Sequence, residues 1–162
     1  MVVLDWLAPT EAPFKKGLIL GFDVRQRPFH IHRAIFEGIA LTIHRCGMAM
    51  GSELGHTYSR IVVSGRCSGP DLFMQIFADV FGTEAVREKV NNAAGLGSAI
   101  CAAVGQGLYG SWDEVIENIV SWQPAFAPDA RAHDLHQRLS AVYNEIPGLT
   151  DKIFKQSYKI FS

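Results

Sequence analysis

The sequence has 162 residues, of which 15 are Lys or Arg and 16 are Asp or Glu, for a formal net charge of −1, and 48% of it is hydrophobic. The length fits a single domain, residues 1–162, able to bury a core of useful size. The charge balance leaves no broad electrostatic footprint for nucleic acid or an anionic membrane, so neither is expected as a partner.

The chain opens without a basic lead-in and reaches Asp5 at once, which does not read as a signal peptide. Residues 2–7 read as a short strand, and 8–16, with Pro9 and Pro13, as a loop. Residues 17–22 form a second expected strand, whose glycines mark bends or close approach. Pro28 suits the first turn of a long helix over 28–50, in which Ile31, Ile35, Ile39, Ile43 and Cys46 recur at near-helical spacing. Gly51 is expected to end it. A polar loop leads to a third strand over 61–64, then a helix over 70–81 with Leu72, Phe73, Ile76, Phe77 and Val80 on its apolar face.

That helix has two candidate starts, a capping box from Ser68 to Asp71 or Gly69 as N-cap with Pro70 behind it. Residues 84–88 read as a short strand and 93–104 as a helix of small residues, able to pack close to a neighbour. Ser111 and Glu114 frame a capping box that opens a helix to about residue 120. Pro124 and Pro128 bracket a loop, residues 129–143 form an exposed helix, and Pro147-Gly148 separates it from a last helix starting at 150. No apolar run is long enough to span a bilayer. Cys46, Cys67 and Cys101 are widely spaced, odd in number and without a CxxC pair, which predicts reduced thiols in a cytoplasmic protein. The order of elements predicts an α/β layer with part of a mixed sheet; its few strands suggest that others precede it in a longer chain.

The chemistry-bearing stretch is 61–80: a strand, a turn with two glycines, then an amphipathic helix. Small residues at such a junction let a ligand approach the backbone, and a helix start offers free N–H groups and partial positive charge. The junction is equally compatible with a plain strand-to-helix turn. Rival chemistries are weaker. His30 and His32 lie on different faces of a helix, and His133 and His136 share a face without the ligands that would complete a zinc set, so no metal site is expected. Ser64-Gly65 lacks the GxSxG pattern of a nucleophile elbow, and nothing in the sequence orients Cys67 as a nucleophile. No Gly-Lys-Ser or Gly-Lys-Thr is present. Glu37 and Asp79 read as structural carboxylates rather than catalytic ones.

Several stretches, in order, resemble the C-terminal domain of the FGGY carbohydrate kinases. Gly17-Leu18-Ile19-Leu20-Gly21, followed by His30-Ile31-His32-Arg33-Ala34-Ile35-Phe36-Glu37, is similar to the family's two-part signature, with Phe22 at a position where a smaller aliphatic is usual. Gln75-Ile76-Phe77-Ala78-Asp79-Val80-Phe81-Gly82 matches the helix that follows the family's adenine loop. Gly95-Leu96-Gly97-Ser98-Ala99 resembles its later small-residue helix.

The resemblance implies an actin-like, ribonuclease-H-type ATPase lobe that binds ATP with Mg²⁺, closes against an N-terminal sugar-binding lobe, and transfers the γ-phosphate to a sugar hydroxyl. It also implies nucleotide contacts at Gly65, by backbone approach, and at Ser64, Arg66 and Cys67. Three turn positions depart from the family: Arg66 stands at its second glycine, Cys67 at a smaller residue, and Pro70 at a Ser or Asn. No residue here matches the family's catalytic aspartate, so no catalytic residue is assigned. The chain is expected to be a C-terminal nucleotide lobe, inactive alone, with an apolar face free for self-association. The alternative is a non-catalytic binding module that keeps the fold.

Overall fold

The computed structural model describes residues 1–3, 11–90 and 92–161, so most of the first expected strand lies outside the described residues. The chain divides into two compact units, Met1–Thr57 with Ala130–Ser162, and Tyr58–Asp129.

In the first unit, β1 (Val2–Val3) pairs antiparallel with β2 (Leu18–Ile19), Val2 opposite Ile19 and Val3 opposite Leu18. The long helix α1 (Pro28–Leu54) packs on β1 and on α5 (Ala130–Phe161). Pro28 takes the first turn of α1, where its missing N–H costs nothing. His30 closes that turn reciprocally: the Arg27 N–H donates to its Nδ1 at 3.0 Å, and its own N–H donates to the Arg27 carbonyl at 2.9 Å.

α1 runs past Gly51, which is buried within it, and ends at Gly55 with φ 66°. A left-handed conformation, not the glycine itself, stops a helix, and only Gly55 adopts it. Ala40 and Leu41 are buried on the inner face. Facing them, Tyr143 is fully buried, its hydroxyl 2.9 Å from Thr42 Oγ1 and donating to the Gly38 carbonyl at 3.3 Å.

Glu37, on the same helix, accepts from Arg33 Nε at 2.8 Å, and its Oε1 lies 3.9 Å from His136 Nε2. Burial works to raise the Glu37 carboxyl, but these two basic neighbours outweigh it and hold the group below its ordinary value.

The expected break at Pro147-Gly148 does not occur, and α5 continues through Pro147. Pro147 removes one backbone bond and crowds the preceding turn. Tyr143 and Ile146 are buried just before it, and the Thr150 hydroxyl donates to the Ile146 carbonyl at 3.0 Å, so packing holds the helix on course. Pro147→Ala restores the missing donor and is expected to raise unfolding free energy by about 1–3 kcal/mol. Urea denaturation reads this directly, and a variant that is less stable than the parent would show that the ring fills space that the fold needs.

The second unit is a β–α–β element extended on one side. β3 (Arg60–Val62) and β4 (Glu84–Val86) pair parallel, with Ile61 opposite Ala85. The crossover is α2 (Asp71–Phe81). Phe73, Met74, Ile76, Phe77, Ala78, Asp79 and Val80 are all buried, so α2 is covered on most of its circumference; Leu72, expected inside, is exposed and Met74 takes its place. Each fully buried large side chain contributes about 1.5–3 kcal/mol. Gly82, φ 66°, ends α2 with its N–H on the Ala78 carbonyl at 2.8 Å.

Residues 121–126, which run into the loop expected between Pro124 and Pro128, lie antiparallel along the other edge of β4. Ala85 and Phe126 exchange bonds of 3.1 and 2.9 Å, and the Gln123 N–H donates to the Arg87 carbonyl at 3.0 Å. The arrangement is therefore a small mixed sheet. Pro124 is tolerated because an edge segment has a side that needs no donor. Beyond β4 come α3 (Ala93–Gly105) and α4 (Trp112–Ile119), which pack on each other. Ser111 caps α4 by accepting from the Glu114 N–H at 3.2 Å, as its sequence predicts. No residue of α3 is buried, so its small residues are not used for close packing among the described residues.

Candidate functional site

The turn between β3 and α2 begins at Gly65, with φ 86° and ψ 179°. That region of backbone space is essentially confined to glycine. The next three residues, Arg66–Ser68, form a single 3₁₀ turn. The Gly65 carbonyl accepts the Ser68 N–H at 3.0 Å and the Ser68 hydroxyl at 2.7 Å, and Ser68 is buried. The Ser68 hydroxyl therefore donates back into the 3₁₀ turn. The helix starts from Pro70 in extended conformation, and neither expected start is used. Among the described residues, the N–H groups of Arg66 and Cys67 have no acceptor.

An open cleft of about 470 Å³ lies against this turn, lined by Ser64, Gly65 and Arg66 on one side and by Asn92, Ala93 and Ala94 on the other. Three of the four residues singled out in the sequence thus share one cavity wall. Cys67, exposed in the turn, does not line it. The opposite wall is the start of α3. Asn92 is its N-cap, its Oδ1 accepting the Gly95 N–H at 3.1 Å. A Cβ at Gly95 would meet Asn92 Nδ2 at 2.7 Å, so glycine there leaves room for the cap. The helix start adds partial positive charge to that wall. Asn92 escaped the sequence reading; an Asn ahead of an apolar run was the available signal.

Arg87, just past β4, also escaped it. Its Nη1 donates to the Ser68 and Gly69 carbonyls, both at 2.7 Å, and its Nη2 donates to the Asp71 carboxylate. Its Nε donates to Gln123 Oε1 at 2.8 Å, and the guanidinium lies over the Phe126 ring, 5.3 Å from the centroid. No sequence signal distinguishes this Arg, since its partners lie 16 to 36 residues away.

On α2, Gln75 Nε2 donates to Asp79 Oδ1 at 2.8 Å and to the Ala127 carbonyl at 2.9 Å, and Asp79 Oδ1 also accepts the Asp129 N–H at 2.9 Å. Asp79 is 5% exposed. The Gln75 and Asp79 pair thus ties the end of the edge segment to α2, at a distance from the cleft lining.

Chemically, the cleft offers open backbone approach at Gly65, unpaired N–H groups in the turn, a helix start and one cation, Arg66. This set suits an anionic ligand, and the volume lies within the ordinary range for a small-ligand pocket. Among the described residues no group of three or more His, Cys, Asp or Glu could hold a metal ion, and no helix is long and apolar enough to cross a membrane.

Residues 5–106 match the model of the FGGY family of carbohydrate kinases, C-terminal domain. An uncharacterised sugar kinase of Escherichia coli (strain K12), YgcE, is 37% identical over 163 residues, which cover 99% of this chain and 33% of that protein. A glycerol kinase of Dichelobacter nodosus is 33% identical over 141 residues, covering 83% of this chain and 28% of that one. The crystal structure of a xylulose kinase from Rhodospirillum rubrum superposes with a TM-score of 0.77 over 95% of this chain and 31% of that one, at 23% identity. The chain spans about a third of the length of these relatives.

Proposed function

The chain belongs to the FGGY family of carbohydrate kinases, as its C-terminal domain with an actin-like ATPase fold, and from this premise we propose that the cleft at Gly65 receives the adenine nucleotide of an ATP-dependent sugar kinase. The observation that carries the proposal is the placement of Ser64, Gly65 and Arg66 in one wall, facing the start of α3. ATP bound there supplies the phosphoryl group. Gly65 admits the ligand to the backbone, the N–H group of Arg66 is free to donate to it, and the α3 start and Arg66 favour its negative charge. Mg²⁺ would arrive with the nucleotide, as it is commonly held by phosphates and water rather than by a protein cage.

No residue of this chain is assigned to activation of the sugar hydroxyl. Phosphoryl transfer depends on positioning both reactants and neutralising charge. We therefore propose that the sugar is held by an N-terminal lobe outside these residues, that the 162-residue chain alone does not phosphorylate sugars, and that the complete enzyme acts in the cytoplasm. The second reading, a binding module with the same fold, draws on Arg66, a long cation lining the cleft where the family has glycine.

Titration of the chain with a fluorescent ATP analogue and Mg²⁺, beside a coupled assay with pentuloses and hexuloses, separates these outcomes. Saturable binding displaced by ATP, with no turnover, is expected. Turnover by the chain alone would overturn the incomplete-lobe proposal, and a complete absence of nucleotide binding would favour the binding module.

A further inference from the structure

We infer that Arg87, which lies outside the turn and is not among the residues lining the cleft, is the positioning residue that fixes the 65–71 turn and thereby sets its affinity for the nucleotide; the second half of this inference rests on the nucleotide reading above. Within the turn, the Gly65 carbonyl accepts the Ser68 N–H and hydroxyl, and the Arg66 carbonyl accepts the Gly69 N–H. Neither the 3₁₀ turn nor α2 has a side-chain N-cap. The Ser68 and Gly69 carbonyls fall between the two helices; Ser68 is buried, where a carbonyl without a partner is costly, and Gly69 is exposed.

One guanidinium meets both carbonyls and then the Asp71 carboxylate at the first residue of α2. Charge-assisted bonds of this kind are shorter and stronger than neutral ones, and the planar fork presents several donors in fixed directions. Arg87 is itself immobilised. Its side chain is 12% exposed, Gln123 accepts from Nε, and Phe126 covers one face of the guanidinium. Both of these partners lie on the edge segment, so the sheet holds the Arg and the Arg holds the turn. The polypeptide at Gly65, Arg66 and Cys67 is in this way referenced to β4 rather than to its own neighbours in sequence.

The Ser68 and Gly69 N–H groups, bonded to the Gly65 and Arg66 carbonyls inside the turn, supply a built-in reporter. Their hydrogen-exchange rates measure how often the turn opens. Arg87→Met keeps the stem and removes every donor. It is expected to raise these exchange rates at least about tenfold and to weaken binding of a fluorescent ATP analogue about tenfold.

Val115→Ala, in the buried face of α4, serves as a destabilised control remote from the turn. It is expected to leave the Ser68 and Gly69 exchange rates within about twofold of the parent. Arg87→Lys, lacking the fork, is expected to recover only part of either property. Unchanged exchange of these two N–H groups in Arg87→Met, or an equal rise in Val115→Ala, would overturn the positioning role whatever the nucleotide measurement gives. Raised exchange with unchanged nucleotide affinity would overturn the link to binding. A parent chain that binds no nucleotide would overturn the nucleotide reading and with it the second half of the inference, while the exchange rates still decide the first.

Discussion

Gly65→Ala is expected to destabilise the chain by about 1–3 kcal/mol and to weaken adenine-nucleotide binding at least about tenfold. The cause is backbone strain alone. At φ 86° and ψ 179° an L side chain is forced into a region that only glycine occupies freely, yet a Cβ at this position meets nothing within 4 Å. No steric relief in a neighbouring side chain can therefore offset the cost, and the chain would have to rotate away from the conformation that lines the cleft.

A second glycine separates this effect from the general consequences of adding a methyl group. Gly97 lies within α3, also has nothing within 4 Å of a built Cβ, and has no positive φ. Gly97→Ala is expected to stabilise by about 0.5–1 kcal/mol through helix propensity. Urea denaturation and nucleotide titration of the two variants side by side make the comparison. If Gly65→Ala kept parental stability and affinity, the conformation assigned to Gly65 would be wrong.

Asp79→Ala is expected to cost about 3 kcal/mol, since a buried, hydrogen-bonded carboxylate is removed and its donors lose that acceptor. The Gln75 side chain and the Asp129 backbone are among these donors, and both converge on Oδ1. Asp79→Asn retains an oxygen acceptor of the same reach and is expected to lose less than half as much. Denaturation of both variants tests this. An alanine variant as stable as the asparagine one would mean that the tie between α2 and the 127–129 segment contributes nothing. The pair also gives a physical content to the Gln-Ile-Phe-Ala-Asp-Val pattern that marks the family resemblance. Gln75 and Asp79 are one helical turn apart and act together, holding the sheet's added edge against the crossover helix.

The parts of this fold that show in the sequence are those governed by neighbours along the chain. The start of α1 at Pro28, the capping box of α4 and the glycine that ends α2 all depend on residues within a turn or two; the Ile31 to Cys46 stripe of α1 does not match its buried face, which is Gly38, Ala40, Leu41, His44 and Gly51. Where distant contacts decide, the sequence misleads. Pro147 is a local stop signal, but the buried Tyr143 and Ile146 keep α5 straight enough to continue. Pro124 and Pro128 look like loop punctuation, but residues between them and before them pair with β4. Gly51 and Gly55 cannot be ranked as helix ends without their dihedral angles.

The site divides in the same way. Gly65 is recognisable because a β-branched strand leads into it and an amphipathic helix follows. Arg87 acts across the fold, and a surface charge and a buried brace look alike in one dimension.

The hydrogen bond between Thr42 and Tyr143 joins residues 101 apart in the chain. The first unit needs both of its stretches, whereas the second is one uninterrupted run. During synthesis, at about 5–20 residues per second, α1 emerges several seconds before its partner helix exists. The side of α1 that meets α5 stays uncovered through that interval while the β–α–β element between the two stretches can already close. The order of manufacture therefore leaves the first unit to be completed last, by the arrival of Tyr143.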